Sequence, residues 1–177
     1  LPRKVSDATV ARARKSYDVI LNDADTPGSA EDIIEMSARV DAMMPCHSEH
    51  FTAEVVAALD PRLKIVANHS VGVDHCDLAA LRARGIAVPN TPDVLSDATA
   101  ALAMLLMLGA ARRAVEGDRL VRTGAWDSWS PAFMVGKQVT GARLGIVGMG
   151  RVGRAFATKA RGFGMEIPYY NRSRLAP

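Results

Sequence analysis

The stretch GARLGIVGMGRVG at residues 141–153 constrains the fold more than any other part of the chain. A short apolar segment, 143–147, has the length of a strand, and Gly148, Gly150 and Gly153 follow it in the spacing G-x-G-x-x-G. Between a strand and a helix, such glycines let the backbone turn tightly and approach a pyrophosphate, whose charge the helix N-terminus stabilises. The context predicts a dinucleotide site, and the alternative is a glycine-rich turn without a ligand.

The segment after this turn indicates which dinucleotide is bound. A helix is predicted over 151–161 and a strand over 165–170, and the residue that contacts the adenosine ribose follows that strand. An acid there selects NAD, but the chain reads Asn171-Arg172-Ser173-Arg174, which favours a 2′-phosphate and therefore NADP(H) over NAD(H). The alternative is a solvated loop. The predicted cofactor-binding residues of this unit are Gly148, Gly150, Arg151, Val152, Gly153, Asn171, Arg172 and Ser173.

Helix and strand signals alternate through residues 1–95. Helices are predicted over 6–16, 29–36, 51–59 and 77–84, and strands over 17–21, 40–44, 63–67 and 86–88. Strands separated by helices of this length imply right-handed crossovers and a parallel sheet, so this part is predicted to be one open α/β domain. Residues 96–123 are predicted to form one long helix, or two with a break at Gly117, and residues 124–140 a loop or arm.

Composition excludes several other classes of protein. The 22 Lys and Arg residues barely outnumber the 19 Asp and Glu residues, so no nucleic-acid partner is predicted. The apolar run 100–111 is shorter than the roughly 20 residues that span a bilayer, so no membrane association is expected. Cys46 and Cys76 are isolated, which suits a reducing, cytoplasmic compartment. No secretory signal is recognisable, and because the chain begins at Leu1, residues preceding it in the gene product are expected to be absent.

Three segments carry a family resemblance. They are VGVDHCDLAALRARGIAVPNTPDVLSDATAALAMLLMLGAARR at 71–113, GAWDSWSPAFMVGKQVTGARLGIVGMGRVGRAFATKARGFGM at 124–165 and YYNRSR at 169–174. The chain resembles the D-isomer-specific 2-hydroxyacid dehydrogenases, and its tryptophan arm resembles the glyoxylate/hydroxypyruvate reductase branch. The resemblance implies a flavodoxin-like substrate domain over residues 1–95, lacking its first strand and its C-terminal return. It also implies the first part of a Rossmann NAD(P)-binding domain over residues 96–177.

The resemblance also implies an activity. The expected reaction is NADPH-dependent reduction of glyoxylate or hydroxypyruvate to the D-2-hydroxy acid by hydride transfer. The family's catalytic Arg, Glu and His lie in motifs beyond Pro177, so no catalytic residue is assigned within this chain, and the 177 residues alone are expected to be inactive. Two alternatives remain open: a nucleotide-sensing scaffold like the corepressors of this fold, and another branch such as phosphoglycerate or formate dehydrogenase.

The resemblance assigns three further positions. The amides of Val71 and Gly72 are expected to hold the substrate carboxylate, with a turn glycine of positive φ as the alternative. Trp129 resembles a residue that reaches into the partner's substrate site, which implies a homodimer through the 124–140 arm, although local packing of the arm is the alternative. Thr99 is expected to face the nicotinamide end of the cofactor, with an ordinary helix threonine as the alternative, and Ala101 stands where many relatives have Glu.

Two features leave questions that only a structure can answer. Cys46 lies beside His47-Ser48-Glu49-His50, which has a metal-like spacing but lacks a second cluster of ligands, so no metal site is predicted. Pro168 falls inside the second strand of the cofactor unit. Either the ladder skips one hydrogen bond there, or the residue forms a bulge.

Overall fold

A computed structural model describes residues 3–174 of the chain. The chain divides into two compact units, Leu1–Pro92 and Asp93–Pro177. This division lies three residues before the boundary predicted between residues 95 and 96. The substrate-domain and cofactor-domain roles of the two units stay predictions.

In the described part of the first unit, residues 3–92, the chain forms four helices and two short strands. Their bounds are α1 Asp7–Arg14, α2 Ala30–Ser37, β1 Ala42–Met43, α3 Ala53–Ala58, β2 Ile65–Val66 and α4 Leu78–Ala83. Each helix begins at a short polar side chain that accepts a hydrogen bond from a backbone N–H in the first turn; these caps are Ser6, Ser29, Thr52 and Asp77. Such caps satisfy donors that the helix itself leaves free, which explains why the predicted helix starts are confirmed to within two residues.

The sheet of this unit is parallel, as predicted. β1 pairs with β2 in the register Ala42 to Ile65 and Met43 to Val66. The strand predicted at 86–88 is reduced to a single parallel bridge between Ile65 and Ala87. Helices α2, α3 and α4 bury apolar side chains against the strands, and this cluster consists of Ile33, Met43, Phe51, Val55, Val56, Leu59, Leu63, Val66, Cys76, Leu81 and Ile86.

The strand predicted at residues 17–21 is wrong. The Tyr17 N–H donates to the Ala13 carbonyl at 3.0 Å, so the segment starts by closing the last turn of α1. Further on, Ile20 and Leu21 line a cavity of about 320 Å³ together with Ala42 and Met43 of β1. An apolar run becomes a strand only when a ladder of hydrogen bonds pairs it with a neighbour, and among the described residues no strand or bridge includes this run.

The second unit contains α5 Ser96–Ala111, α6 Ala114–Arg122, β3 Ile146–Val147, α7 Arg151–Arg161 and β4 Tyr169–Tyr170. The two-helix alternative for residues 96–123 is therefore correct, but the predicted break at Gly117 is wrong. The break lies at Arg113, whose φ is +54°, and Gly117 lies inside α6. The Ala111 carbonyl accepts the Lys137 N–H at 2.7 Å, so the returning arm takes a bond that could have continued the helix.

Pro168 removes one hydrogen bond from the ladder without a bulge. β3 and β4 pair in parallel, with Ile146 opposite Tyr169, and an isolated bridge joins Arg143 to Glu166. Both pairs are 23 positions apart in sequence (169 − 146 and 166 − 143), so no residue is inserted between them. The Pro168 carbonyl still accepts the Ile146 N–H at 3.0 Å, and the ladder loses only the donor that proline lacks.

Helix α5 packs on α7 through small and flexible side chains. Ala100 and Met104 of α5 and Ala157 and Ala160 of α7 are buried, and the alanines let the two backbones approach closely. Other apolar side chains of α5, namely Leu102, Leu105 and Leu106, are exposed. Within residues 3–174, no single helix is long and apolar enough to cross a membrane, while α5 and α6 meet that test only as a pair bent by 67°.

Candidate functional site

The glycine turn lies between β3 and α7. Gly148 has a φ of +96°, a conformation that favours glycine, and its N–H donates to the Tyr170 carbonyl of β4 at 2.8 Å. A Cβ on Gly153 would collide with the backbone carbonyl oxygen of Gly148. The sequence reasoning expected a tight turn and a close helix–strand approach, and the structure places these two glycines where each would be needed.

The N-terminus of α7 presents uncapped backbone donors. Gly150 occupies the cap position, no side chain accepts a bond there, and the first turn has no acidic residue. Within the part of the chain that the structure describes, the N–H groups of Arg151, Val152 and Gly153 have no protein acceptor, and the first such bond runs from Arg154 to the Gly150 carbonyl. A Cβ on Gly150 would meet nothing within 4 Å. Free donors beside open space fit the pyrophosphate of a dinucleotide.

The side chain of Arg151 forms an ion pair with Asp93. Its Nε lies 2.6 Å from an Asp93 carboxylate oxygen, and Asp93 has a φ of +68°. Both side chains are about two-thirds exposed, so this ion pair adds little stability. The predicted phosphate contact of Arg151 is therefore its backbone N–H rather than its guanidinium.

The side chain of Asn171 makes two hydrogen bonds to the backbone. Its Oδ1 accepts the Met149 N–H at 3.3 Å, and its Nδ2 donates to the Ser173 carbonyl at 2.9 Å. The sequence indicated Asn171 only as a residue without negative charge, whereas its side chain ties the glycine turn to the segment that follows β4. Arg172 is exposed and, within residues 3–174, has no carboxylate partner, so its charge stays available to a ligand.

The loop of residues 68–76, called the substrate loop because the resemblance predicts a substrate contact there, follows β2. Within the described residues, the N–H groups of Val71 and Gly72 have no protein acceptor. The φ of Gly72 lies outside the left-handed region, and a Cβ there would meet only the Asp74 carboxylate, at 3.3 Å. Backbone conformation therefore does not require a glycine at this position, which leaves the approach of a ligand as a reason for it.

Asparagine side chains hold the carbonyls of the same loop. Asn68 Nδ2 donates to the Gly72 carbonyl at 2.8 Å, and Asn90 Nδ2 donates to the Val71 carbonyl at 2.8 Å. His75 Nε2 lies 3.1 Å from Asn68 Oδ1. The sequence does not indicate these residues as functional, because an uncharged amide that binds a loop carbonyl has no motif of its own.

The cysteine and histidines near the loop form no cluster suited to a metal. Among the described residues, no three His, Cys, Asp or Glu side chains are placed to hold an ion. Glu49 is buried and accepts hydrogen bonds from the Cys46 N–H at 2.9 Å and from Ser48 Oγ at 2.8 Å.

Burial, followed by the charge of Glu49, raises the pKa of the Cys46 thiol, which therefore stays protonated at neutral pH. Burial, followed by the charges of His50 and His47, lowers the pKa of His75.

Thr99 and the tryptophan arm lie in the second unit. Thr99 is exposed in the first turn of α5, and its N–H donates to the Leu95 carbonyl. Trp126 Nε1 donates to the Ser128 carbonyl at 3.0 Å, so this ring is held within the arm. Trp129 is 74% exposed and borders an apolar cavity of about 300 Å³, which Phe133 also lines.

Parallel strands, crossover helices and a glycine turn that opens a helix place the chain in the class of dinucleotide-binding α/β proteins. The family model described as D-isomer specific 2-hydroxyacid dehydrogenase, catalytic domain, matches residues 2–170. The chain therefore belongs to the D-isomer specific 2-hydroxyacid dehydrogenase family, which confirms the resemblance and the α/β fold class predicted from the sequence.

Individual relatives show how far the similarity extends. The chain is 42% identical over 170 residues to glycerate dehydrogenase of Hyphomicrobium methylovorum, covering 96% of this chain and 53% of the relative. It is 50% identical over 139 residues to glyoxylate reductase of Thermococcus kodakarensis, covering 76% and 41%. A solved structure from Polaromonas sp. JS6 66, assigned to this family and to NAD binding, has a TM-score of 0.90 at 48% identity and covers 99% and 55%. The chain spans about half the length of the curated relatives it matches.

Proposed function

We propose that the complete polypeptide carrying this chain reduces a short 2-keto acid, glyoxylate or hydroxypyruvate, to the D-2-hydroxy acid, with NADPH as the reductant. The observation that carries the proposal is the pair of free amides at Val71 and Gly72 in a chain so similar to a glyoxylate reductase. A carboxylate matches consecutive N–H donors on a loop that follows a parallel strand.

Two jobs in this reaction fall to residues of this chain. The substrate loop binds the carboxylate, and the uncapped end of α7 holds the pyrophosphate. When bound, the nicotinamide supplies the hydride that C2 of the keto acid accepts. The cation that polarises the carbonyl and the acid that protonates the resulting alkoxide belong, by the family resemblance, to motifs beyond Pro177.

NADP(H) is the form of the cofactor that the residues after β4 favour. Arg172 and Ser173 are exposed, and the side chain of Asn171 carries no charge that would repel a phosphate. A guanidinium and a hydroxyl can bind a 2′-phosphate through charge-assisted hydrogen bonds. Thr99, in the first turn of α5, is proposed to face the nicotinamide end of the same cofactor.

The arm at 124–140 is proposed to form the contact between two copies of the chain. Trp129, Phe133 and Val135 are exposed on it, and exposed aromatic side chains of this size are typical anchors of protein interfaces. By resemblance, Trp129 would reach into the substrate site of the second copy.

Replacing Gly72 with alanine is expected to raise the KM for hydroxypyruvate about tenfold or more in the complete polypeptide. The added methyl group meets only the end of the Asp74 side chain, so the fold is retained and the methyl group obstructs the carboxylate. The control is Gly145→Ala, because a Cβ there meets nothing within 4 Å. An unchanged KM would overturn the carboxylate assignment. A wild-type protein that binds NADPH but reduces no keto acid would favour the nucleotide-sensing scaffold.

Light scattering tests the arm as an interface. The complete polypeptide is expected at twice its monomer mass, and Trp129→Ala is expected to shift it towards the monomer at low micromolar concentration, since a buried tryptophan anchor contributes about 2 kcal/mol or more. Tyr17→Ala is the matched control, because Tyr17 is as exposed as Trp129 but lies in the first unit. A wild-type monomer would contradict both the interface and the role in the partner's site.

A further inference from the structure

The substrate loop contains three successive peptide carbonyls that all accept hydrogen bonds. The Ser70 carbonyl accepts the Thr91 N–H at 3.1 Å, the Val71 carbonyl accepts Asn90 Nδ2, and the Gly72 carbonyl accepts Asn68 Nδ2. In a trans peptide the carbonyl and the following N–H point in opposite directions. Each of these bonds therefore also sets the direction of the N–H on the next residue.

Gly72 lies between two of these fixed peptides. The Asn90 bond orients the peptide that precedes it, and the Asn68 bond orients the peptide that follows it. Glycine loses more conformational freedom on ordering than any other residue, so a loop centred on it needs external partners to keep one conformation. The two asparagine amides supply those partners.

Asn68 is itself held in place on both sides. It is 2% exposed, its own N–H donates to the Pro89 carbonyl at 2.9 Å, and its Oδ1 lies 3.1 Å from His75 Nε2. With His75 Nε2 as donor, Oδ1 is occupied as an acceptor, so Nδ2 must face the Gly72 carbonyl. The pair thus has one orientation that satisfies both groups.

We propose that Asn68, oriented by His75, is a positioning residue that fixes the substrate loop in the conformation that binds the substrate carboxylate. The inference rests on the proposed function, since the carboxylate ligand comes from it. The side chain of Asn68 acts through the backbone of Gly72 and does not itself touch the substrate. A loop ordered before binding avoids the entropic cost of ordering on binding, which shows as tighter substrate binding.

Asn68→Asp separates this role from a general loss of structure. The substitution keeps the shape and the acceptor for His75 but replaces the Nδ2 donor with an oxygen that faces the Gly72 carbonyl. The expected result in the complete polypeptide is a KM for hydroxypyruvate raised about tenfold or more, with a smaller change in kcat and an unchanged KM for NADPH. His75→Leu is expected to raise the same KM, and His75→Gln, which keeps a donor, to restore most of it.

Asn22→Asp is the matched control. Asn22 Nδ2 donates to the Thr26 carbonyl at 2.8 Å, which is the same bond across the same sequence separation as in the substrate loop. It is expected to leave the KM for hydroxypyruvate unchanged. Amide hydrogen exchange gives a second measurement, at Thr91 and Cys76, whose N–H groups donate to the Ser70 and Val73 carbonyls of the loop. Asn68→Asp is expected to speed exchange at these two amides, and Asn22→Asp is not.

The outcomes separate the inference from the proposed function. If the wild type reduces hydroxypyruvate and Asn68→Asp changes its KM less than twofold, the inference is overturned while the function stands. If Asn22→Asp raises the KM as much as Asn68→Asp, the effect is general and the inference also fails. If the wild type reduces no keto acid, the proposed function fails, and equal exchange at Thr91 and Cys76 in wild type and Asn68→Asp overturns the positioning role itself.

Discussion

Replacing Gly153 with alanine is expected to abolish NADPH binding and to lower the free energy of unfolding of the second unit. Alanine normally stabilises a helix interior relative to glycine by up to about 1 kcal/mol. Here the new Cβ would collide with the Gly148 carbonyl, which is backbone and cannot rotate away, so α7 must shift. Overpacking of this kind costs about 1–3 kcal/mol and moves the free amides of α7 away from the pyrophosphate position.

Two neighbouring glycines provide matched controls for this result. A Cβ on Gly150 meets nothing within 4 Å and its φ is −77°, so Gly150→Ala should keep the stability of the free protein yet weaken NADPH binding by occupying the approach to the pyrophosphate. Gly145→Ala should alter neither property. Thermal unfolding and fluorescence titration with NADPH measure the two effects. An NADPH Kd for Gly153→Ala equal to that of the wild type would contradict the expected geometry.

Arg172→Ala is expected to raise the Kd for NADPH roughly 10- to 100-fold and to leave the Kd for NADH unchanged. Only NADPH carries the 2′-phosphate that would pair with this guanidinium, and a hydrogen bond to a charged group contributes about 1.5–3 kcal/mol. The effect should shrink as ionic strength rises, because the arginine is exposed. Titration of the complete polypeptide with both dinucleotides at two salt concentrations measures it.

Arg161→Ala is the control for charge alone. Arg161 is also exposed, but it ends α7, about 15 Å along the helix from the glycine turn. It is expected to change neither Kd. If Arg172→Ala weakened the binding of NADH and NADPH equally, the arginine would contact a group common to both dinucleotides. A wild type that binds NADH more tightly than NADPH would overturn the NADP assignment.

Local chemistry explains which parts of the fold were predictable. Ser6 and Asp77 cap helices through contacts within four residues, and the turn at Gly148 depends on the conformation of one residue, so sequence spacing predicts both. The segment 17–21 has the composition of a strand but, among the described residues, belongs to no strand or bridge. The break at Arg113 reflects the bond from the Lys137 N–H to the Ala111 carbonyl, which are 26 positions apart (137 − 111), and this bond has no signature in the helix itself.

In the candidate site, too, contacts between neighbours in the sequence were predictable and contacts between distant residues were not. The G-x-G-x-x-G spacing predicts backbone donors because the glycines and the helix start are adjacent in the chain. The bond from Asn90 to Val71 depends on how the ends of neighbouring strands come together, and the contact between His75 and Asn68 depends on how the loop folds back on itself. No spacing rule gives either. Asn171 is an intermediate case, because its position was predicted while its bonds to Met149 and Ser173 were not.

The arm that follows α6 is tied down at both ends. At its start, the Ala125 N–H donates to the Leu120 carbonyl at 3.0 Å, and at its end the Lys137 N–H donates to the Ala111 carbonyl at 2.7 Å. If a second copy docks on the arm as proposed, fewer of its residues lose backbone freedom on docking. Much of the ordering cost of the proposed dimerisation would then be met during folding of the monomer, which favours slow dissociation.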